Sequence, residues 1–250
     1  MLEILDHGPV REVRLARPPA NAFNPTLVDR LESALGEAEA AARAIVVSGQ
    51  PGMFSAGLDV PELLQLDRDR ISRFWQGFTR LLARVARAPV PVVFALTGHA
   101  PAGGMVIALF GDYRIMARGD YRTGLNEVQV GLIAPPPVHQ ALVRLIGAHR
   151  AERILVAGEM MGPQRALDIG LVDELADDPE AAVRRAMEWC ERMLALPQPA
   201  MQATRAMARA DLRRIFENSS EFGVERFVDS WFGESTQATL RGLVERIGKK

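Results

Sequence analysis

At 250 residues, with 48% hydrophobic and 24% charged side chains, the chain can bury a sizeable core in one large domain or two small ones. Its 30 basic and 31 acidic residues give a formal net charge of −1, so no global field attracts it to nucleic acid or an anionic membrane. A single cysteine, Cys190, excludes an internal disulfide, and no apolar stretch reaches the ~18 residues that a membrane-spanning helix needs.

The first residues, MLEILDHGPVREVRLARP, alternate like paired strands and carry acids, unlike a signal or transit peptide. Residues 2–6 and 10–16 predict a hairpin turning at His7-Gly8-Pro9. A helix over 26–42 is expected to bury Leu27, Leu31 and Ala34, and RAIVVSG then reads as a buried strand. PGMFSAGLD is a glycine-punctuated loop, and residues 69–87 place Ile71, Phe74, Trp75, Phe78, Leu81 and Leu82 on one helical face. PVPVVFAL is a strand, TGHAPAGG a loop, MVIALFG a short helix and DYRIMA another strand. Beyond Pro135 the pattern turns helical, with Val138, Leu142 and Leu145 on one helix and Ile154 and Leu155 on the next. A short strand over 171–175 and helices over 179–196, 200–217 and 236–247 complete the chain. Strand–loop–helix units followed by helices predict an α/β core over 1–195 with a helical region over 196–250 in the same unit. The closing Gly-Lys-Lys is neither a lipidation nor a peroxisomal signal, so a soluble, cytoplasmic, bacterial-type protein is expected.

Three places can carry chemistry. FSAGLDV, residues 54–60, follows a buried strand and precedes a helix; Gly57 lets the chain turn or a ligand approach, and Asp59 can cap the helix. GHAPAGGMVIAL, residues 98–109, repeats that arrangement. Neither is a P-loop or a dinucleotide fingerprint. Two glycine loops at helix starts can instead aim a pair of N–H donors at one oxygen, an oxyanion hole. The third place is Glu127 in TGLNEVQVGLIAPP, where Leu125, Val128, Val130, Leu132 and Ile133 argue against full solvation. Burial would raise its pKa and make it a useful base near neutral pH.

Other candidates have plainer roles. Cys190 sits at helical spacing as a buried thiol, and Asp112 reads as a turn or polar anchor. The four histidines are scattered; His99, in the second glycine loop, is the one near a possible ligand. Arg205, Arg209 and Arg213 are four apart, a basic stripe open to solvent, CoA phosphates or RNA. No Cys/His cluster suggests a metal.

PGMFSAGLD, PAGGMVIALFGDYRI, GLNEVQVGLIAP and AERILVAGEMMGPQRALDIGLVDE follow one another in the order of the crotonase (enoyl-CoA hydratase/isomerase) superfamily. The resemblance runs from ANAFN to TLRGLVERI, and GLNE and PAGG resemble the mitochondrial type of Δ3,Δ2-enoyl-CoA isomerase in particular. It implies a spiral of ββα units with a helical C-terminal trimerisation region, and a homotrimer or hexamer. It implies an acyl-CoA thioester as substrate, with no cofactor beyond the coenzyme A the substrate carries; the balanced charge and the lack of a spanning stretch leave neither a membrane nor a nucleic-acid partner expected. Carried over by position, the catalytic residue is Glu127 and the oxyanion-hole donors are the N–H groups of Ala56 and Gly103. Substrate and CoA contacts fall on Ala56, Gly57, Leu58, Asp59, Val60, Gly103 and Asn126, with Val106, Leu125 and Ile133 as apolar walls. Hydratases of the family use two glutamates; the second belongs where this chain has Val106. Movement of the double bond of a 3-enoyl-CoA to trans-2, in fatty-acid β-oxidation, is therefore the expected activity. The alternatives are hydration, dienoyl-CoA isomerisation, thioester hydrolysis or a non-catalytic CoA- or RNA-binding role.

Overall fold

Strands and helices alternate as the periodicity predicts in the computed structural model, which describes residues 1–217 and 223–247. Strands β1 (Leu2–His7) and β2 (Val10–Leu15) form the hairpin. Helix α1 (Pro25–Ala41) starts at Asn24, whose side chain accepts the Leu27 N–H. Three similar turns of chain follow. The first is β3 (Ala44–Ser48), β4 (Gly52–Met53), the short α2 (Val60–Leu63) and the long α3 (Arg68–Arg87). The second is β5 (Val92–Leu96), β6 (Gly98–Pro101) and α4 (Gly103–Ala108). The third is β7 (Tyr113–Ala117), β8 (Thr123–Gly124), a 3-10 turn over Glu127–Val130 and α5 (Pro136–Ile146). Helix α6 (Ala148–Ala157), β9 (Met160–Met161), α7 (Pro163–Asp168) and β10 (Glu174–Ala176) lead to α8 (Pro179–Leu194). Helices α9 (Gln198–Ala208), α10 (Ala210–Arg214), α11 (Val224–Trp231) and α12 (Glu234–Ile247) come last. Lys249 and Lys250 of the Gly-Lys-Lys end lie outside the described residues.

In each turn the longer strand joins a six-stranded sheet, β1-β2-β3-β5-β7-β10, and the shorter one a four-stranded sheet, β4-β6-β8-β9. This is the ββα spiral that the sequence implied. The central strands of the large sheet are buried on both faces, which is why they read as continuous apolar runs. Val46, Val93 and Ile115 face α8, where Ala182, Ala186 and Cys190 keep the helix close. Ile45, Val47 and Phe94 face the larger core built with α1 and α3. All six residues predicted for the inner face of α3 are buried. No helix among the described residues is long and apolar enough to cross a membrane.

Four departures from the sequence reading stand out. Strands β4 and β6 lie where loops were expected, and β8 and β9 are strands to which the sequence reading gave no element; each of the four has two to four residues, too few for a period-2 pattern. A Cβ on Gly98 would lie 2.0 Å from Gly52 C, so close strand approach here requires glycine. The helix expected over 200–217 divides into α9 and α10 at Arg209, whose guanidinium turns inward to the Phe110 and Gly111 carbonyls. The last strand lies over 174–176, and α11 is an element that periodicity did not delimit.

Candidate active site

Strands β4, β6 and β8 are parallel, hydrogen-bonded neighbours, so the loops leaving them emerge side by side. The first carries Phe54–Asp59, the second Ala102 and Gly103, and the third Leu125 to Val130. The two glycine loops touch: a Cβ on Gly57 (φ +88) would lie 3.1 Å from Gly103 N, and one on Gly103 would lie 3.2 Å from Gly57 Cα. Ala102 holds φ 44 and ψ −119 at the start of α4, a conformation normal for glycine and strained for alanine.

The N–H groups decide what these loops can bind. Ala56 N–H donates to Ala20 O at 2.9 Å, Gly57 N–H to Ser55 Oγ at 3.1 Å and Asp59 N–H to Phe23 O at 2.9 Å. The Leu58 N–H has no acceptor among the described residues. In the second loop Ala102 N–H donates to Gly124 O at 2.8 Å, whereas Gly103 N–H, first in α4, is free in the same sense. The assignment of Ala56 as an oxyanion donor is therefore corrected. Its N–H ties the loop to Ala20, and where the two loops touch Leu58 and Gly103 each carry a free donor.

A cavity of about 490 Å³ opens against these loops. Of the residues expected at the ligand, Ala56, Leu58, Asp59, Val60, Gly103, Asn126 and Glu127 line it. Gly57 does not; it packs behind, against Gly103. Val106 and Ile133 are walls as expected, but Leu125 is buried in the core instead. Trp75, Phe78, Phe227 and Leu243 supply apolar surface that the sequence did not assign to the cavity. Trp75 and Phe227 stack with ring centroids 3.7 Å apart, so α11 closes on α3 at this wall. Two neighbouring aromatics stand elsewhere: Trp231 is core, and Phe232 is exposed beneath Arg68.

Two carboxylates reach the wall. Asp59 is engaged, capping α2 through the Glu62 N–H and pairing with Arg17 at 2.6 Å. Glu127 is half-buried as a residue, but its Oε2 is sealed from solvent with no hydrogen-bond partner. Desolvation raises its pKa to about 7, only partly opposed by its own backbone N–H. A base of that pKa gives a testable profile. With carboxylate as the active form, kcat/KM is expected to rise with pH, reach half-maximum near 7 and then level off. A profile flat from pH 5 to 9 would exclude Glu127 as a base of this kind.

The remaining candidates are structural. His99 accepts the Arg122 N–H through Nδ1 at 3.1 Å, packs edge-on to Tyr121 and does not line the cavity. Ser55 Oγ donates to Asn21 O at 2.8 Å and braces the loop. Burial pushes the Cys190 thiol up to about 12, leaving it inert. Asp112 is a buried anchor that accepts Val92 N–H and two bonds from Arg205. Arg209 stands 3.3 Å from the same carboxylate, so two members of the basic stripe face inward. The reading of that stripe as a solvated or phosphate-binding face is corrected, leaving Arg213 alone exposed. Among the described residues no group of three His, Cys, Asp or Glu is placed to hold a metal. Sequence reasoning missed Asn21, which holds φ 50 and donates to the Met53 and Phe54 carbonyls, fastening the first glycine loop. Its only trace was its place in ANAFN.

Comparison with known proteins agrees with this fold. Residues 6–248 match the family model for enoyl-CoA hydratase/isomerase. Human mitochondrial enoyl-CoA delta isomerase 1 is 32% identical over 243 residues, 95% of this chain and 80% of that protein. A probable enoyl-CoA hydratase of Bacillus subtilis is 26% identical over 240 residues, covering 95% of this chain and 93% of that one. The crystal structure of human mitochondrial Δ3,Δ2-enoyl-CoA isomerase superimposes with a TM-score of 0.93 at 30% identity, covering 99% of this chain and 98% of that one.

Proposed function

This chain belongs to the enoyl-CoA hydratase/isomerase family, and from that premise we propose that it is a Δ3,Δ2-enoyl-CoA isomerase working through a single carboxylate. The observation that carries the reading is the lone, desolvated, unpartnered Glu127 in a mostly apolar cavity. In the proposed reaction the Glu127 carboxylate removes a C2 proton from a 3-enoyl-CoA, acidified by the adjacent thioester. The dienolate charge collects on the thioester oxygen, where the N–H groups of Leu58 and Gly103 stabilise it. The protonated carboxyl then delivers the proton to C4, giving the trans-2-enoyl-CoA and regenerating the base. The shuttle needs no cofactor beyond the coenzyme A of the substrate. Asn126, beside the base on the wall, is assigned to substrate contact. As in other members of the family, a homotrimer or a pair of trimers is the proposed assembly, with a cytoplasmic β-oxidation role.

Hydration is the competing reading, and the Bacillus relative keeps it in view. Activating a water takes a second carboxylate. Val106 lines the wall with 3% exposure, and Asp59 is held by Arg17, so no second free acid faces Glu127 among the described lining residues. Purified protein is expected to raise the conjugated-thioester absorbance with 3-hexenoyl-CoA and to form little 3-hydroxyacyl-CoA from crotonyl-CoA. Hydration of crotonyl-CoA at a comparable rate would reverse the choice. Val106→Glu is expected to lower stability by about 1–3 kcal/mol, because a carboxyl enters a closed apolar wall. The same variant should acquire measurable hydration of crotonyl-CoA. A Val106→Glu protein that stays a pure isomerase would remove Val106 from the explanation.

A further inference from the structure

The base lacks the partner that usually aims a catalytic carboxyl. Glu127 Oε2 is buried without a hydrogen bond, and the one group recorded against the carboxyl is its own backbone N–H, which belongs to the 3-10 turn. Gly131 (φ +77) closes that turn, donating to the Glu127 and Val128 carbonyls, and Leu132 N–H returns to Glu127 O at 2.9 Å. The remaining bond to Gly131 comes from a distant part of the chain. Thr236, in the first turn of α12, donates Oγ1 to Gly131 O at 2.8 Å. Thr236 is 5% exposed, and a Cβ on Gly131 would lie 3.1 Å from Thr236 Cα, so α12 and the turn are in backbone contact. A threonine within a helix usually returns its hydroxyl to its own helix, as Thr239 does to Ser235 O. Thr236 instead makes a tertiary bond. On the other side of the turn Gln129 Nε2 donates to Gly158 O at 2.8 Å, so the segment is held between α6 and α12.

We infer that Thr236 is a positioning residue for the reaction: its hydroxyl fixes the Gly131 carbonyl and, through it, the turn that aims Glu127 at the acyl group. The inference rests on Glu127 being the base. Helix α12 also contributes Leu243 to the cavity wall, so one helix both borders the ligand space and orients the proton acceptor. Loss of the hydroxyl would let the turn shift, and misplacement by about 1 Å can cost ~100-fold in rate.

The test measures kcat, KM, the pH profile and the melting temperature on 3-hexenoyl-CoA for the full-length protein. Thr236→Val keeps the shape and is expected to lower kcat at least ~10-fold with KM little changed. Its acid limb should move below that of the wild type, because a loosened carboxyl meets more water. Thr236→Ser keeps the hydroxyl and is expected to restore kcat to within about 3-fold of the wild type. Thr239→Val, the control on the same helix, is expected to leave kcat unchanged. Should Thr236→Val not fold, Thr236→Ala is compared with Thr236→Ser in the same way. Unchanged kcat in the hydroxyl-lacking variant, or equal losses in that variant and in Ser, would overturn the inference. Glu127→Gln separates the two levels. If that variant turns over normally the base assignment fails, whereas a dead Glu127→Gln beside a normal Thr236→Val refutes the positioning role alone.

Discussion

Glu127→Gln is expected to lower kcat at least ~100-fold while KM for the enoyl-CoA changes little. The amide keeps the size and the half-buried location of the side chain but can neither take a proton from C2 nor return one to C4. Leu58, Gly103 and the apolar wall remain, so binding persists. The same substitution should alter stability in a pH-dependent direction. Burial raises the Glu127 pKa from its ordinary 4.5 to about 7, so folding favours the protonated form. The wild type therefore loses stability as pH rises through that interval, by at most ~3 kcal/mol at about 1.4 kcal/mol per pH unit. Gln carries no charge and is free of that loss. Melting curves of the two proteins should lie close together at pH 5 and separate at pH 8, with the variant the more stable. A Glu127→Gln enzyme with near-normal turnover rejects the base, and a variant less stable at pH 8 than at pH 5 relative to wild type rejects the desolvation.

What the sequence revealed of this arrangement follows the range of the forces involved. The inner face of α3 is legible because six apolar side chains recur at helical spacing within twenty residues. Glu127 was legible as an acid among apolar neighbours, and Val106 as a departure from a spaced pattern. The donors were not. Whether Ala56 or Leu58 offers a free N–H depends on Ala20, more than thirty residues earlier, accepting one of them. Backbone donors carry no side-chain signal, so position in a motif marks the loop without saying which amide is free. Strands β4, β6 and β8 escaped for a related reason: they are made by pairing across the spiral, and Gly98 against Gly52 is a contact between turns. Thr236 left no local mark at all, since its partner is 105 residues away. Arg205 and Arg209 were misread because periodicity locates a helical face without revealing that a buried Asp112 awaits it.

Gly57→Ala should lower kcat by about 100-fold or more, through the oxyanion hole and without touching the base. Gly57 sits at φ +88, and its missing Cβ is what allows the two glycine loops to touch. An alanine there would bring a methyl to 3.1 Å from Gly103 N and 3.3 Å from Pro101 O, both backbone atoms that must move apart. The separation would displace the Gly103 N–H and the adjoining Leu58 N–H from the proposed site of the thioester oxygen. Loss of a single donor of this kind typically costs ~100- to 1,000-fold in kcat. Because charge on that oxygen grows only as the C2 proton leaves, the effect should fall mainly on kcat. Backbone strain accompanies the change at about 1–2 kcal/mol, and a control isolates it. Gly147 has φ +81 with nothing within 4 Å of its absent Cβ, so Gly147→Ala should destabilise to a similar degree and leave kcat unaltered. Equal kcat in the two variants would show that the touching loops do not form the anion site, and the stabilisation assigned to Leu58 and Gly103 would then have to come from other groups on the wall.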